Sequence, residues 1–210
     1  MSKDVYKFLL LGDTGVGKTS LFNKLTKGIF EENPIQFLGM AIVKHSLYFN
    51  INTPKGLKEV KIELLDTDSY KKFSLSGVAS FFKDAKGLIM IYDITKGDSF
   101  LNLGEWLKDI LIYLGQNDNY LIILLGNKLD LVEENPEKRQ VWENDAKDFC
   151  EGNNIFNGGE CSVKAFDVER IKALFKEFSE EVYKKINSRN KKGKKIILSE
   201  SNHTKKKSNC

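Results

Sequence analysis

The 210-residue chain contains three cysteines, two histidines and three arginines, and each shortage closes off a class of protein. Three cysteines in a chain with no recognisable signal peptide do not make a disulfide framework, so Cys150 and Cys161 are expected as buried thiols in a reducing compartment. His45 and His203 form no metal constellation with them. No run approaches the ~20 apolar residues of a membrane-spanning helix, so membrane association is expected to be peripheral. No internal repeat is visible. What remains is enough for one folded domain, because a chain with 41% hydrophobic residues can bury a full core.

Apolar strands alternate with helical patterns along the chain. That order predicts an α/β fold: a doubly wound, mostly parallel six-stranded sheet with helices on both faces. Strands are expected near 5–11, 41–49, 59–65, 87–93, 120–126 and 158–161, and helices near 17–26, 71–82, 98–114, 136–151 and 168–187. The turn residues between Asn50 and Gly56 read as a hairpin, so one edge pair should be antiparallel. Ile171, Leu174, Phe175, Phe178, Val182 and Ile186 fall on one face of the last helix and are expected to pack on the sheet. Trp106, Trp142, Tyr113 and Tyr183 are expected as packing residues too.

The most informative segment is Gly12-Asp13-Thr14-Gly15-Val16-Gly17-Lys18-Thr19, between the apolar run Tyr6 to Leu11 and the helical pattern Ser20 to Leu25. It matches the phosphate-loop pattern G-x-x-x-x-G-K-S/T. Glycines let successive backbone N–H groups turn inward around phosphates, Lys18 reaches the terminal oxygens, and the Thr19 hydroxyl can ligate Mg²⁺. Gly15, Val16, Gly17, Lys18, Thr19 and Ser20 are therefore the candidate phosphate-binding positions, with Lys18 the candidate catalytic group. The helix that follows adds partial positive charge beneath the anion.

The base is chosen elsewhere. Directly after the apolar run Tyr120 to Leu125 stands Asn127-Lys128-Leu129-Asp130. A carboxylate at Asp130 can accept two parallel hydrogen bonds from guanine, whose donor edge adenine does not present; Asn127 can brace the phosphate loop, and the Lys128 stem can cover the ring. The wrong base would leave a buried carboxylate unpaired. Leu64-Leu65-Asp66 ends a strand in a candidate Mg²⁺ carboxylate, and Glu160-Cys161-Ser162-Val163-Lys164 closes a later one.

With these stations in order, the chain from about Tyr6 to Lys185 resembles a Ras-superfamily small GTPase. Phe81 to Gly87, Tyr92-Asp93-Ile94-Thr95, Ser99-Phe100 and Trp106-Leu107 resemble the Rab branch, and the spacing from Asp130 to Ser162 leaves no room for the extra helix of the Rho branch. The resemblance implies GTP/GDP and Mg²⁺ as cofactors. It also implies that Ser162, Val163 and Lys164 approach guanine through backbone N–H groups and that Phe30 lies edge-on against the base. An exchange factor, an activating protein, a GDP-dissociation inhibitor and effectors are the implied partners, and a monomer is expected.

Departures from the family pattern point one way. Phe37 stands where the first switch carries its Mg²⁺-ligating threonine, and no Ser or Thr occurs from Lys27 to His45. In the second switch, Ser69 replaces the glycine that meets the γ-phosphate, Tyr70 replaces the water-orienting glutamine, and Asp68 adds negative charge. None of the arginines, Arg139, Arg170 and Arg189, is near the switches to serve in cis. Slow intrinsic hydrolysis is the expectation, because phosphoryl transfer depends on positioning and charge stabilisation.

Two regions are expected, a guanine-nucleotide-binding domain over 1–187 and a flexible basic tail over 188–210. The tail carries Arg189, Lys191, Lys192, Lys194, Lys195, Lys205, Lys206 and Lys207 against Glu200, a net of +7 that leaves −3 for the rest of a chain totalling +4. Cys210 stands where a Rab-like protein takes its geranylgeranyl group, although the family more often ends in two cysteines or a short extension beyond one. A prenyl chain and a polybasic segment together make the two signals a stable anchor needs. Peripheral attachment to the cytosolic face of intracellular membranes, in vesicle trafficking, is thus expected; nucleic acid is not an expected partner. A nucleotide-bound scaffold without a hydrolytic cycle stays open as the alternative.

Overall fold

Alternation decides which layer each strand residue enters. In β1 (Asp4–Leu11), Tyr6, Phe8 and Leu10 face one helical layer while Leu9 and Leu11 face the other, and all are buried. The computed structural model describes residues 4–32, 43–66, 81–115 and 119–206, with side chains as far as Ser188. The remaining strands are β2 (Val43–Thr53), β3 (Gly56–Asp66), β4 (Ala85–Asp93), β5 (Leu121–Asn127) and β6 (Phe156–Glu160).

They form one sheet of six strands in the order β2-β3-β1-β4-β5-β6. Only the β2–β3 hairpin is antiparallel, its register running from Val43 opposite Asp66 to Thr53 opposite Gly56. The other pairs are parallel. β4 and β5 each have a strand on either side and are covered on both faces, which is why they read as nearly unbroken apolar runs.

Helix α1 (Lys18–Lys27) packs Leu21, Phe22 and Leu25 onto one face of the sheet. It stops at Gly28, which takes a left-handed conformation (φ 74°) and donates its N–H to the Lys24 carbonyl at 3.1 Å. The same face receives Ile171, Phe175, Phe178 and Val182 of the C-terminal helix, with Leu174 and Ile186 at the margin, as the sequence stripe predicts. The opposite face is covered by Leu103, Trp106 and Ile110 of α3 (Leu103–Leu114) and by Ala146 and Cys150 of α5 (Glu143–Asn153). Cys150 and Cys161 are buried free thiols.

Four expectations need correction. The helix expected at 98–114 is interrupted at Asn102, giving α2 (Gly97–Leu101) and then α3. The helix expected at 136–151 is replaced by a short α4 (Leu129–Glu134), a 3₁₀ turn Pro136–Lys138 and α5. Pro136, without an N–H, restarts the chain in a new turn, and the Gln140 and Val141 N–H groups go to the Ile94 carbonyl at 3.0 and 3.2 Å instead of into a helix. The final helix, α6, runs Val168–Lys206 rather than ending at 187; lysine is a good helix former and no proline interrupts 168–206. Trp142 is not a packing residue but is 64% exposed, with the Arg139 guanidinium 5.9 Å from its ring centre. The helix expected at 71–82 lies outside the described residues except for its last two. Phe37, Asp68, Ser69, Tyr70 and Cys210 lie outside them as well.

Candidate functional site

Because five of the strands run parallel, their carboxyl ends share one rim. β1 leads into Gly12, β3 ends at Asp66, β4 at Asp93, β5 at Asn127, and β6 leads into Cys161. β1 lies between β3 and β4, so the chain order reverses there and opens a crevice at the phosphate loop.

The loop needs its glycines for different reasons. At Gly12 (φ 136°) a Cβ would stand 2.2 Å from the Ile91 carbonyl oxygen, so the loop rests directly on the backbone of β4. At Gly17 (φ 106°) a Cβ would stand 2.3 Å from Asn127 Nδ2. Val16 is buried beneath the loop, and Ser20 is buried within α1. Lys18, only 3% exposed, donates from Nζ to the carbonyls of Gly12 (2.9 Å) and Asp13 (2.7 Å). Its ammonium is thus folded into the loop's concavity above the N-terminus of α1, an anion-binding arrangement.

Thr19 Oγ1 donates to Asp66 Oδ2 at 2.7 Å. A threonine hydroxyl and a carboxylate at the mouth of a phosphate loop are hard oxygen donors of the kind Mg²⁺ selects. That ion commonly takes one or two protein oxygens and completes its shell with phosphate and water. The donor set therefore fits Mg²⁺. Among the described residues no group of three or more His, Cys, Asp or Glu forms a metal site.

Asn127 joins the parts. Its Nδ2 donates to the Val16 carbonyl at 2.8 Å, and its Oδ1 accepts the Val163 N–H at 3.1 Å. Ser162 Oγ donates to Asp130 Oδ1 at 2.5 Å and accepts the Ala165 N–H at 2.8 Å, which holds the Asp130 carboxylate to the turn after β6. Lys128, left-handed at φ 73°, reaches Asp93 Oδ2 at 2.7 Å; Asp93 Oδ1 accepts from the Thr95 N–H (2.9 Å) and hydroxyl (2.6 Å). Cys161 is fully buried between these motifs, and burial, helped by the Asp130 charge, pushes its thiol up to about 12. It is a packing group, not a nucleophile.

The other edge of the crevice is built from the chain after α1. Phe30 is partly buried against the α1–α6 layer. Glu31 accepts from Asn23 Nδ2 at 3.0 Å, and Glu32 lies 4.0 Å from Lys164 Nζ across the opening.

Three pairings were not legible as motifs. Arg139 forks onto Glu160, with Nη1 at 2.6 Å from Oε1 and Nη2 at 2.8 Å from Oε2, and anchors the end of β6 just before Cys161. Asp93 partners Lys128, and the Asp-x-Thr turn over 93–95 announces only its bonds to Thr95. Asp13 receives Asn102 Nδ2 at 2.6 Å and Trp106 Nε1 at 3.0 Å, contacts of 89 and 93 residues' separation that no local pattern announces.

A parallel sheet with its switch point at a glycine-rich loop, a buried lysine and a threonine–aspartate pair define a P-loop nucleotide-binding fold. The Ras family model matches residues 7–184, and the chain belongs to the Ras family. Within it the chain is Rab-like. It is 34% identical over 149 residues to Ras-related protein Rab-27A of Rattus norvegicus, covering 69% of this chain and 65% of that protein. It is 31% identical over 167 residues to Ras-related protein Rab-30 of Homo sapiens, covering 80% of this chain and 76% of that one. Ras-related protein Rab-27B of Bos taurus matches at 33% over 153 residues, 71% and 67%. The chain thus spans just under two thirds of the length of the Rab-27A relatives it matches.

Proposed function

We propose that this chain is a Rab-like small GTPase that binds GTP and GDP with Mg²⁺ and acts at membranes in vesicle trafficking, with slow intrinsic hydrolysis. The observation that carries the nucleotide reading is the Asn127 side chain. It hydrogen-bonds the phosphate loop at Val16 and the 161–163 turn at Val163, so phosphate and base sites form one unit. Asp130, half-buried and held by Ser162, is the acceptor for the guanine donor edge, and a base without that edge would leave the carboxylate unpaired. Lys18 is the cation for the terminal phosphates. Thr19 and Asp66 would hold Mg²⁺, which when bound neutralises charge on the phosphate oxygens during phosphoryl transfer.

The low rate rests on the sequence of the switches: Tyr70 offers no amide to orient water, Ser69 resists a positive φ, and Phe37 cannot ligate a metal. An activating protein that supplies an arginine and a glutamine in trans would restore turnover. Membrane attachment rests on Cys210 and the basic segment 188–210, which together supply a prenyl anchor and attraction to anionic lipid. Among the described residues no helix is long and apolar enough to cross a membrane. Exchange factor, GDP-dissociation inhibitor and effectors follow from the family.

The test is calorimetric titration of nucleotide-stripped protein with GDP and with a non-hydrolysable GTP analogue, with and without Mg²⁺, beside Thr19→Asn. Binding of both nucleotides, strengthened by Mg²⁺ and weakened by Thr19→Asn, supports the reading; no binding of either discards it. The switch departures also favour a second reading, a GDP-biased scaffold. That reading requires phosphate release no faster than buffer even with a Rab-activating protein present.

A further inference from the structure

The phosphate loop contains a carboxylate that phosphate binding does not call for. Asp13 follows Gly12, and its own carbonyl accepts Lys18 Nζ at 2.7 Å, so the side chain is attached at the point where the loop holds its cation. A free carboxylate there would do two harmful things. It would repel a polyphosphate, and it would offer Lys18 an intramolecular partner that competes with the ligand.

In the structure the carboxylate is turned toward the helix layer. Its Oδ2 accepts from Asn102 Nδ2 at 2.6 Å and its Oδ1 from Trp106 Nε1 at 3.0 Å. These two donors, a carboxamide and an indole, are neutral. Trp106 is 3% exposed and packed among Leu9, Leu11 and Leu103, so its indole N–H is fixed in direction by the core. Asn102 is the residue at which the 97–114 helix breaks, and its exposed side chain is the one that reaches back to the loop.

We infer that Asn102 and Trp106 are positioning residues of the phosphate loop: they hold the Asp13 carboxylate away from the anion and leave Lys18 to the nucleotide. The role rests on the guanine-nucleotide reading above. Asn102 keeps helical dihedrals (φ −68°, ψ −10°) and its carbonyl accepts the Trp106 N–H at 3.2 Å, so both donors project from one continuous helical path toward Asp13. The role also makes α3 part of nucleotide retention through Trp106.

The experiment is a charge-rescue cycle on the full chain. Protein loaded with N-methylanthraniloyl-GDP is chased with excess GDP, and the dissociation rate is read by fluorescence. Asn102→Ala combined with Trp106→Phe is expected to speed release about tenfold, since these two donors to a charged acceptor are lost while the aromatic packing is kept. Adding Asp13→Asn to that pair is expected to bring the rate back to within about threefold of wild type, because no charge is left to release. A merely structural role predicts no rescue. An unchanged rate in the pair, or a raised rate that Asp13→Asn leaves raised, overturns the inference. Should Trp106→Phe fail to fold, the same cycle with the exposed Asn102→Ala alone decides it on a smaller rate change. Failure of wild-type protein to load any guanine nucleotide would instead remove the site reading, and this role with it.

Discussion

Replacing Asn127 by alanine tests the architecture at the point where its parts meet. The side chain is 2% exposed and satisfies two backbone groups from distant segments, the Val16 carbonyl at 2.8 Å and the Val163 N–H at 3.1 Å. Removing it strands both. An orphaned buried donor or acceptor costs about 1–3 kcal/mol, so the pair sums to about 2–6 kcal/mol. Water entering from the crevice would satisfy one of them, which places the expected loss at about 1–3 kcal/mol. Urea denaturation of nucleotide-free protein measures it as a fall in the midpoint with an unchanged m-value. Asn127→Asp sharpens the test. It keeps an acceptor for Val163 but presents a carboxylate oxygen to the Val16 carbonyl, so it should destabilise at least as much as alanine despite its near-identical size. A loss below about 0.5 kcal/mol for Asn127→Ala, or an Asn127→Asp variant as stable as wild type, would refute the bridging role and reduce Asn127 to a space-filler.

Glu160→Gln should cost about 2–3 kcal/mol in the same assay, somewhat below a fully buried pair because the Arg139 side chain keeps 11% exposure; Arg139→Met with Glu160→Leu should cost less than either single change, and the reverse order would sink the argument. Burial pushes the thiols of Cys150 up to about 11 and Cys161 up to about 12, so above pH 9 the unfolded chain loses these protons first. Stability must therefore fall as pH rises from about 9, by at most about 1.4 kcal/mol per unit for each thiol, and Tyr6 and Tyr92, raised by burial, act in the same direction at higher pH. A Cys150→Ala and Cys161→Ala protein should show a flatter slope between pH 9 and 10, and an identical slope would show that neither thiol is coupled to folding. Prenylated protein should float with anionic liposomes, and Cys210→Ser should not; equal flotation would remove the anchor from the proposal.

The placement of the candidate site residues was legible because each piece is local. Gly12 to Thr19, Asp66, and Asn127 to Asp130 are short strings in which spacing along the chain equals spacing in the site, and the strand before each string puts it at a carboxyl end. The layers were legible too, since Ile171, Phe175, Phe178 and Val182 recur at helical intervals and all reach the core. The helix ends were less so. Pro136 marks a break after which Gln140 and Val141 find their partner in Ile94, and the interruption at Asn102 leaves its backbone helical. Trp142 and Trp106 look alike in sequence, yet one faces solvent and the other donates to the phosphate loop. What the sequence by itself determined is on which strand ends the candidate residues sit, because covalent neighbours fix those relations. Which donors restrain Asp13, which arginine anchors Glu160 and which lysine meets Asp93 was decided only by tertiary structure. Those partners come from separate elements, and only the packing of helices on the twisted sheet brings them within hydrogen-bonding reach.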